Sequence, residues 1–88
     1  CSNLKEVNLE FNELNEVIGL NDCIELLLFN CQFNNLQILN FSGLNNLEQL
    51  HCEFNQINSL DLSSCYSLSL LLCSHNQVEY LNLKNALV

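Results

Sequence analysis

Basic residues are almost absent from this chain. It carries two Lys or Arg against ten Asp or Glu, which gives a formal net charge of −8 at pH 7. Such a surface repels the phosphates of nucleic acids and the anionic face of a membrane, so we expect no nucleic acid partner. No apolar run approaches the roughly 18 residues of a membrane-spanning helix, so we also expect no membrane insertion.

Glycine and methionine are nearly or wholly missing too. The only glycines are Gly19 and Gly43, which excludes a glycine-rich phosphate loop. The start lacks the basic flank and apolar centre of a signal peptide, so the sequence leaves the compartment open. A chain that begins at Cys1 and contains no Met indicates a piece of a longer protein.

An internal repeat dominates what is present. The stretch LEQLHCEFNQINSLDLSSCYS at 47–67 is followed by LSLLLCSHNQVEYLNLKNALV at 68–88, and Leu, Cys, Asn and Leu return in step. Two earlier copies occupy 26–46 and 4–25. The first copy is one residue longer, and we place the extra residue in IGL at 18–20, with Gly19 in the slot held elsewhere by Phe41, Leu62 and Leu83.

Each unit contains one predicted strand. In EQLHCE and its counterparts, apolar residues alternate with variable ones, the period of a strand with one buried face. Leu50 and Cys52 then point inward. Strands that recur every unit without a long helix between them stack in parallel, about 4.8 Å apart. We therefore predict a repeat solenoid with a parallel β-sheet on the concave side, short extended or 3-10 segments on the convex side, and little or no α-helix.

Each unit reads LxxLx(L/C)xxNxLxxLxL, which resembles the leucine-rich repeat family over the whole chain. The resemblance implies an α/β-type horseshoe. The repeat itself divides 1–88 into one segment of four units (4–25, 26–46, 47–67 and 68–88). Because the sequence begins and ends in phase with the repeat, we expect a piece of a longer solenoid whose open ends are covered by neighbouring repeats or other chains. The resemblance also implies a non-catalytic module that binds a partner protein on its concave sheet. The alternative is a structural repeat segment, a spacer or assembly component of a larger surface or scaffold protein.

Two repeated slots are interpreted as structural. An Asn side chain has two donors and an acceptor, enough to bond the backbone of its own and neighbouring turns. This predicts a ladder of Asn12, Asn34, Asn55 and Asn76. Cysteines share a strand slot (Cys31, Cys52 and Cys73) and a slot before each unit's first Leu (Cys1, Cys23 and Cys65). We expect both sets to be small buried residues with reduced thiols, although the strand spacing would permit a bridge.

No catalytic, cofactor or metal site is predicted. Sulfurs in a parallel row cannot converge on one zinc ion. His51 and His75 lie on adjacent units but about 10 Å apart along the strand direction, too far to share a proton. Asp61, Ser63 and Ser64 belong to a turn, where such side chains usually bond local backbone.

The candidate partner surface lies on the outward strand slots. These slots change from acidic to apolar along the stack, and Leu70 and Leu72 are apolar side chains grouped on a polar face, as in contact sites. One ring-bearing residue precedes each ladder Asn, and together these residues form an aromatic row. The rings either pack under the turn as outer core or contact the partner. The predicted partner-binding residues are Leu28, His51, Glu53, Leu70, Leu72, Phe11, Phe33, Phe54 and His75.

Overall fold

The computed structural model describes residues 3–83 and confirms the solenoid. Four three-residue strands form one parallel sheet in the order β1 (Glu6–Asn8), β2 (Leu28–Asn30), β3 (Gln49–His51) and β5 (Leu70–Leu72). On the return side, β4 (Ser59–Asp61) pairs in parallel with β6 (Tyr80–Asn82). A 3-10 helix spans Leu20–Asp22, and residues 3–83 contain no α-helix. Cys1 and Val88 lie outside the described residues.

The register of the sheet places equivalent residues of successive units side by side. Val7 pairs with Phe29, Phe29 with Leu50, and Leu50 with Leu71. The steps between paired positions are 29 − 7 = 22, 50 − 29 = 21 and 71 − 50 = 21 residues. These steps equal the unit lengths read from the sequence, so the outward and inward slots of the strands follow the predicted alternation.

The core lies between the two sides of each turn. Phe29 and Leu50, at the strand centres, are fully buried. Leu36, Leu60 and other leucines of the return segments close the core from the opposite side. The prediction that Cys73 is buried was wrong, because Cys73 is only half-buried, as is Leu71 on the same strand side. Within residues 3–83, β5 has a neighbouring strand on one side only, which leaves part of its inner face uncovered.

The extra residue of the first unit sits differently from our prediction. Leu20, only 5% exposed, takes the inward slot that we assigned to Gly19. Its carbonyl accepts from Cys23 N, as the carbonyl of Phe41 accepts from Leu44 N. Gly19 instead adopts φ 84°, a left-handed conformation that glycine reaches without a Cβ clash. The longer unit is thus accommodated by a loop that ends just before Leu20.

The cysteines between residues 3 and 83 occur in two chemical states. Cys31, Cys52, Cys65 and Cys73 are free thiols. Cys23 is disulfide-bonded, so the expectation of reduced thiols throughout was wrong at this position. Slot identity predicted the burial of Cys23 but carried no information on whether a second sulfur came within bonding distance.

Within residues 3–83, no helix has the length and apolar character needed to cross a bilayer.

Candidate interaction surface

Two rows of side chains cross the outward face of the four-stranded sheet. One row runs through Glu6, Leu28, Gln49 and Leu70, and the other through Asn8, Asn30, His51 and Leu72. Leu70 and Leu72 are 38% and 37% exposed and lie together on β5. Gln49 separates Leu28 from Leu70, so the structure brings only two of the three predicted leucines together.

The polar part of the face is held by hydrogen bonds between units. Gln32 Nε2 donates to Glu53 Oε1 at 2.8 Å, and Asn30 Nδ2 donates to Glu10 Oε2 at 3.4 Å. His51 Nε2 lies 3.3 Å from Gln49 Oε1. The strand register pairs His51 with Leu72, and Glu53 follows two residues later on the same side of the sheet. His51 and Glu53 therefore form a polar border to the two leucines of β5.

An aromatic column stands along one edge of this sheet, and consists of Phe11, Phe33, Phe54 and His75. Ring centroids are separated by 4.6, 4.4 and 4.2 Å in chain order, with interplanar angles of 9°, 7° and 7°. Phe11 is 70% exposed, Phe33 39% and Phe54 41%. The rings therefore lie at the surface and cover each other's faces, while their edges remain in solvent.

The backbone of the aromatic column is left-handed at every member. The φ angles of Phe11, Phe33, Phe54 and His75 lie between 56° and 59°. For residues with a Cβ this conformation costs roughly 1–2 kcal/mol each. Parallel ring packing returns about 0.5–1.5 kcal/mol per pair beyond area burial. Each aromatic ring is thus placed by a turn that the chain maintains at a conformational cost.

The asparagine after each aromatic residue explains how the turn is held. Asn55 Nδ2 donates to the carbonyls of Cys31 and Cys52 at 2.9 and 3.1 Å, and its Oδ1 accepts from Leu36 N at 3.1 Å. Asn34 and Asn76 repeat this pattern. Asn34 and Asn55 are 6% and 8% exposed. The amides therefore bond successive turns to one another and are not available to a ligand.

The thiols beneath the sheet have low reactivity. Burial, and secondarily the charge of Glu53, raises the pKa of Cys31 to about 12. Burial raises the pKa of Cys52 still further, and that of Cys65 to about 11. These thiols remain protonated at neutral pH, so they are poor nucleophiles and poor metal ligands. In the described part of the chain no group of three or more His, Cys, Asp or Glu could hold a metal ion.

Comparison of the chain with models of protein families, with curated proteins and with solved structures gives no match. The resemblance to leucine-rich repeats therefore rests on the repeated sequence pattern, and the function must be argued from the surface itself.

Proposed function

We propose that this chain is a non-catalytic protein-interaction module of the leucine-rich repeat type. A partner protein binds the outward face of the four-stranded sheet, the concave side of the predicted horseshoe. The observation that supports this most is the exposure of Leu70 and Leu72 on a sheet face whose other strand residues, apart from the half-buried Leu28, are polar. Apolar side chains grouped on a polar surface commonly mark contact sites.

Rigidity supports the same surface. Leu70 and Leu72 are fixed on a strand, and the aromatic column is held by stacking and by the asparagine ladder. Residues that are already ordered lose little conformational entropy when a partner binds, and aromatic side chains are enriched among those that dominate binding energy. A partner would place an apolar or aromatic side chain against the two leucines.

The polar border would orient the bound partner. Glu53 and Glu10 lie on the same side of the sheet, and the chain as a whole carries a net charge of −8. Basic or hydrogen-bond-donating groups of the partner suit these carboxylates, and opposite charge accelerates the encounter. The proposed partner is therefore apolar where it meets Leu70 and Leu72 and basic at one margin.

Site-specific photo-cross-linking in the cells that make the protein tests this proposal. A photoreactive phenylalanine analogue replaces Phe54, and its adducts are compared with and without the second substitution Phe33→Asn. Asn tolerates the left-handed backbone, so this change removes a ring from the aromatic column without imposing new strain. We expect a discrete adduct that is lost with Phe33→Asn.

Ile38→Asn is the matched control. Ile38 is 72% exposed and lies on the return side, so its replacement removes an apolar side chain from a different surface. The adduct should survive this change. A protein whose adduct is equally sensitive to both substitutions, or that forms none at Phe54, does not bind through this face.

A further inference from the structure

A groove of about 380 Å³ opens on the return side, opposite the proposed partner surface. It lies between β4 of the third unit and the equivalent segment of the second unit, 38–42. Leu39 and Phe41, which are nearly buried, form its apolar floor. The rims carry Ile38 and polar side chains, which are Asn40, Ser42, Asn58, Ser59, Asp61, Ser63 and Ser64.

The groove exists because two neighbouring turns pair differently. Between the third and fourth units, Tyr80 N donates to Asn58 O and Leu62 N to Asn82 O. The equivalent bonds between the second and third units would join Ser59 N to Gln37 O and Phe41 N to Asp61 O, and neither is made. Within residues 3–83, β4 therefore pairs with β6 alone and has one free edge.

The free edge has a defined hydrogen-bonding pattern. In a parallel pair, alternate residues of a strand direct both N–H and C=O to the same neighbour. Backbone groups of Asn58 and Leu62 bond toward β6, so those of Leu60 do the same. The backbone N–H and C=O groups of Ser59 and Asp61 therefore face the groove. An extended peptide satisfies such an edge, because it offers complementary groups at the same spacing. Three residues of β4 cover about 10 Å, enough for a peptide of three to four residues.

Charge selects the kind of peptide. The Asp61 carboxylate accepts from Ser63 N at 3.0 Å, and hydrogen bonds from Ser63 hold the pKa of Asp61 below its usual range. Asp61 is therefore ionised at neutral pH on the rim of the groove. The chain has only two basic residues against ten acidic ones, so a second copy of this chain would be repelled. A basic segment would be attracted.

We propose that the groove binds an extended peptide segment carrying a basic side chain, which adds as a strand to the free edge of β4 and pairs its charge with Asp61. This site is independent of the outward sheet face. It would give the protein a second, separately addressable contact on its return side.

Amide-resolved NMR titration with a synthetic probe tests the proposal. The probe is a capped six-residue peptide of alternating valine and threonine with one central lysine. At millimolar peptide we expect saturable shifts at the amides of Ser59 and Asp61, with the sheet face unaffected. A peptide N-methylated at its central residues cannot donate to the edge and should not bind.

Two matched variants separate the contributions. Asp61→Asn places in this slot the residue found at Asn40 and Asn82, so the turn is preserved while the charge is removed. It should weaken the lysine peptide by roughly two- to five-fold, the range of an exposed ion pair, and leave a lysine-free peptide unchanged. Ser59→Pro removes the donor that faces the groove and should abolish binding, whereas Ser59→Ala should retain it.

The proposal is overturned if the probe shifts no amide of β4, or if the N-methylated peptide binds as well as the parent. If the lysine peptide and the lysine-free peptide each bind Asp61→Asn as tightly as the unmodified protein, a basic side chain is not required for binding. Because the N-methylated peptide is tested on the unmodified protein, the result does not depend on Ser59→Pro folding.

Discussion

At the scale of single residues, each turn is built by a pair with opposite roles. The first member is an aromatic residue with a left-handed backbone, and the second is an asparagine whose amide bonds the carbonyls around it. The asparagine turns the chain inward while the aromatic ring stays outside. A buried amide thus fixes the position of an exposed ring, which links the stability of each turn to the shape of the proposed partner surface.

Asn55→Ala should destabilise the protein more than Asn12→Ala. Asn55 is buried and serves Cys31 O, Cys52 O and Leu36 N, and leaving such groups unpaired costs about 1–3 kcal/mol. Asn12 is exposed and bonds carbonyls of its own unit, where water can replace it. Urea unfolding of both variants measures the difference, and equal losses would contradict an internal role for the ladder.

At the scale of elements, parallel strands place Cys31, Cys52 and Cys73 in one row beneath the sheet. Burial sets their ionisation, and Cys73 has a raised pKa although it is only half-buried. A thiol that stays neutral in the folded protein but ionises in the unfolded chain makes stability depend on pH. The pH dependence of the unfolding free energy therefore reports how well the core excludes water from these thiols.

The contribution of the buried thiols to the unfolding free energy should be constant up to about pH 9 and fall above it. An unfolded thiol ionises near its ordinary pKa of 9.0, whereas folded Cys31 holds its proton to about 12. Between these values the unfolded state gains stability by up to about 1.4 kcal/mol per pH unit and thiol. Cys31→Ala should therefore show a shallower decline in urea unfolding across this window. An unchanged slope would mean that this thiol is not shielded.

Much of the architecture was predictable because the repeat multiplies every local signal. Strand alternation seen in four copies fixed which residues face inward, such as Leu50, and the turn slot of Asn55 followed from its position after the strand. The left-handed backbone of Phe33 was not predictable, since Phe has no intrinsic preference for it. Nor was the unequal pairing on the return side, where Ser59–Asp61 and Tyr80–Asn82 form strands while the similar segment 38–42 does not.

At the scale of the whole molecule, the two sides of the solenoid differ in what they offer. The outward sheet face carries exposed leucines, a polar border and the aromatic column. The return side carries a free strand edge beside an ionised Asp61. The two proposals therefore place a globular partner on one side of the solenoid and an extended segment on the other.

Leu70 and Leu72 are proposed to belong to a surface for binding and to contribute little to folding. The most direct measurement compares urea unfolding of the double variant Leu70→Asp and Leu72→Asp with that of Leu71→Asp, a change at the adjacent position packed against the core. We expect the double variant to stay within about 1 kcal/mol of the unmodified protein, as surface substitutions do. Leu71→Asp should lose 2 kcal/mol or more, roughly the cost of burying an unpaired charge. An equal or greater loss of unfolding free energy in the double variant would show that both leucines are core residues. It would contradict their assignment to a binding surface.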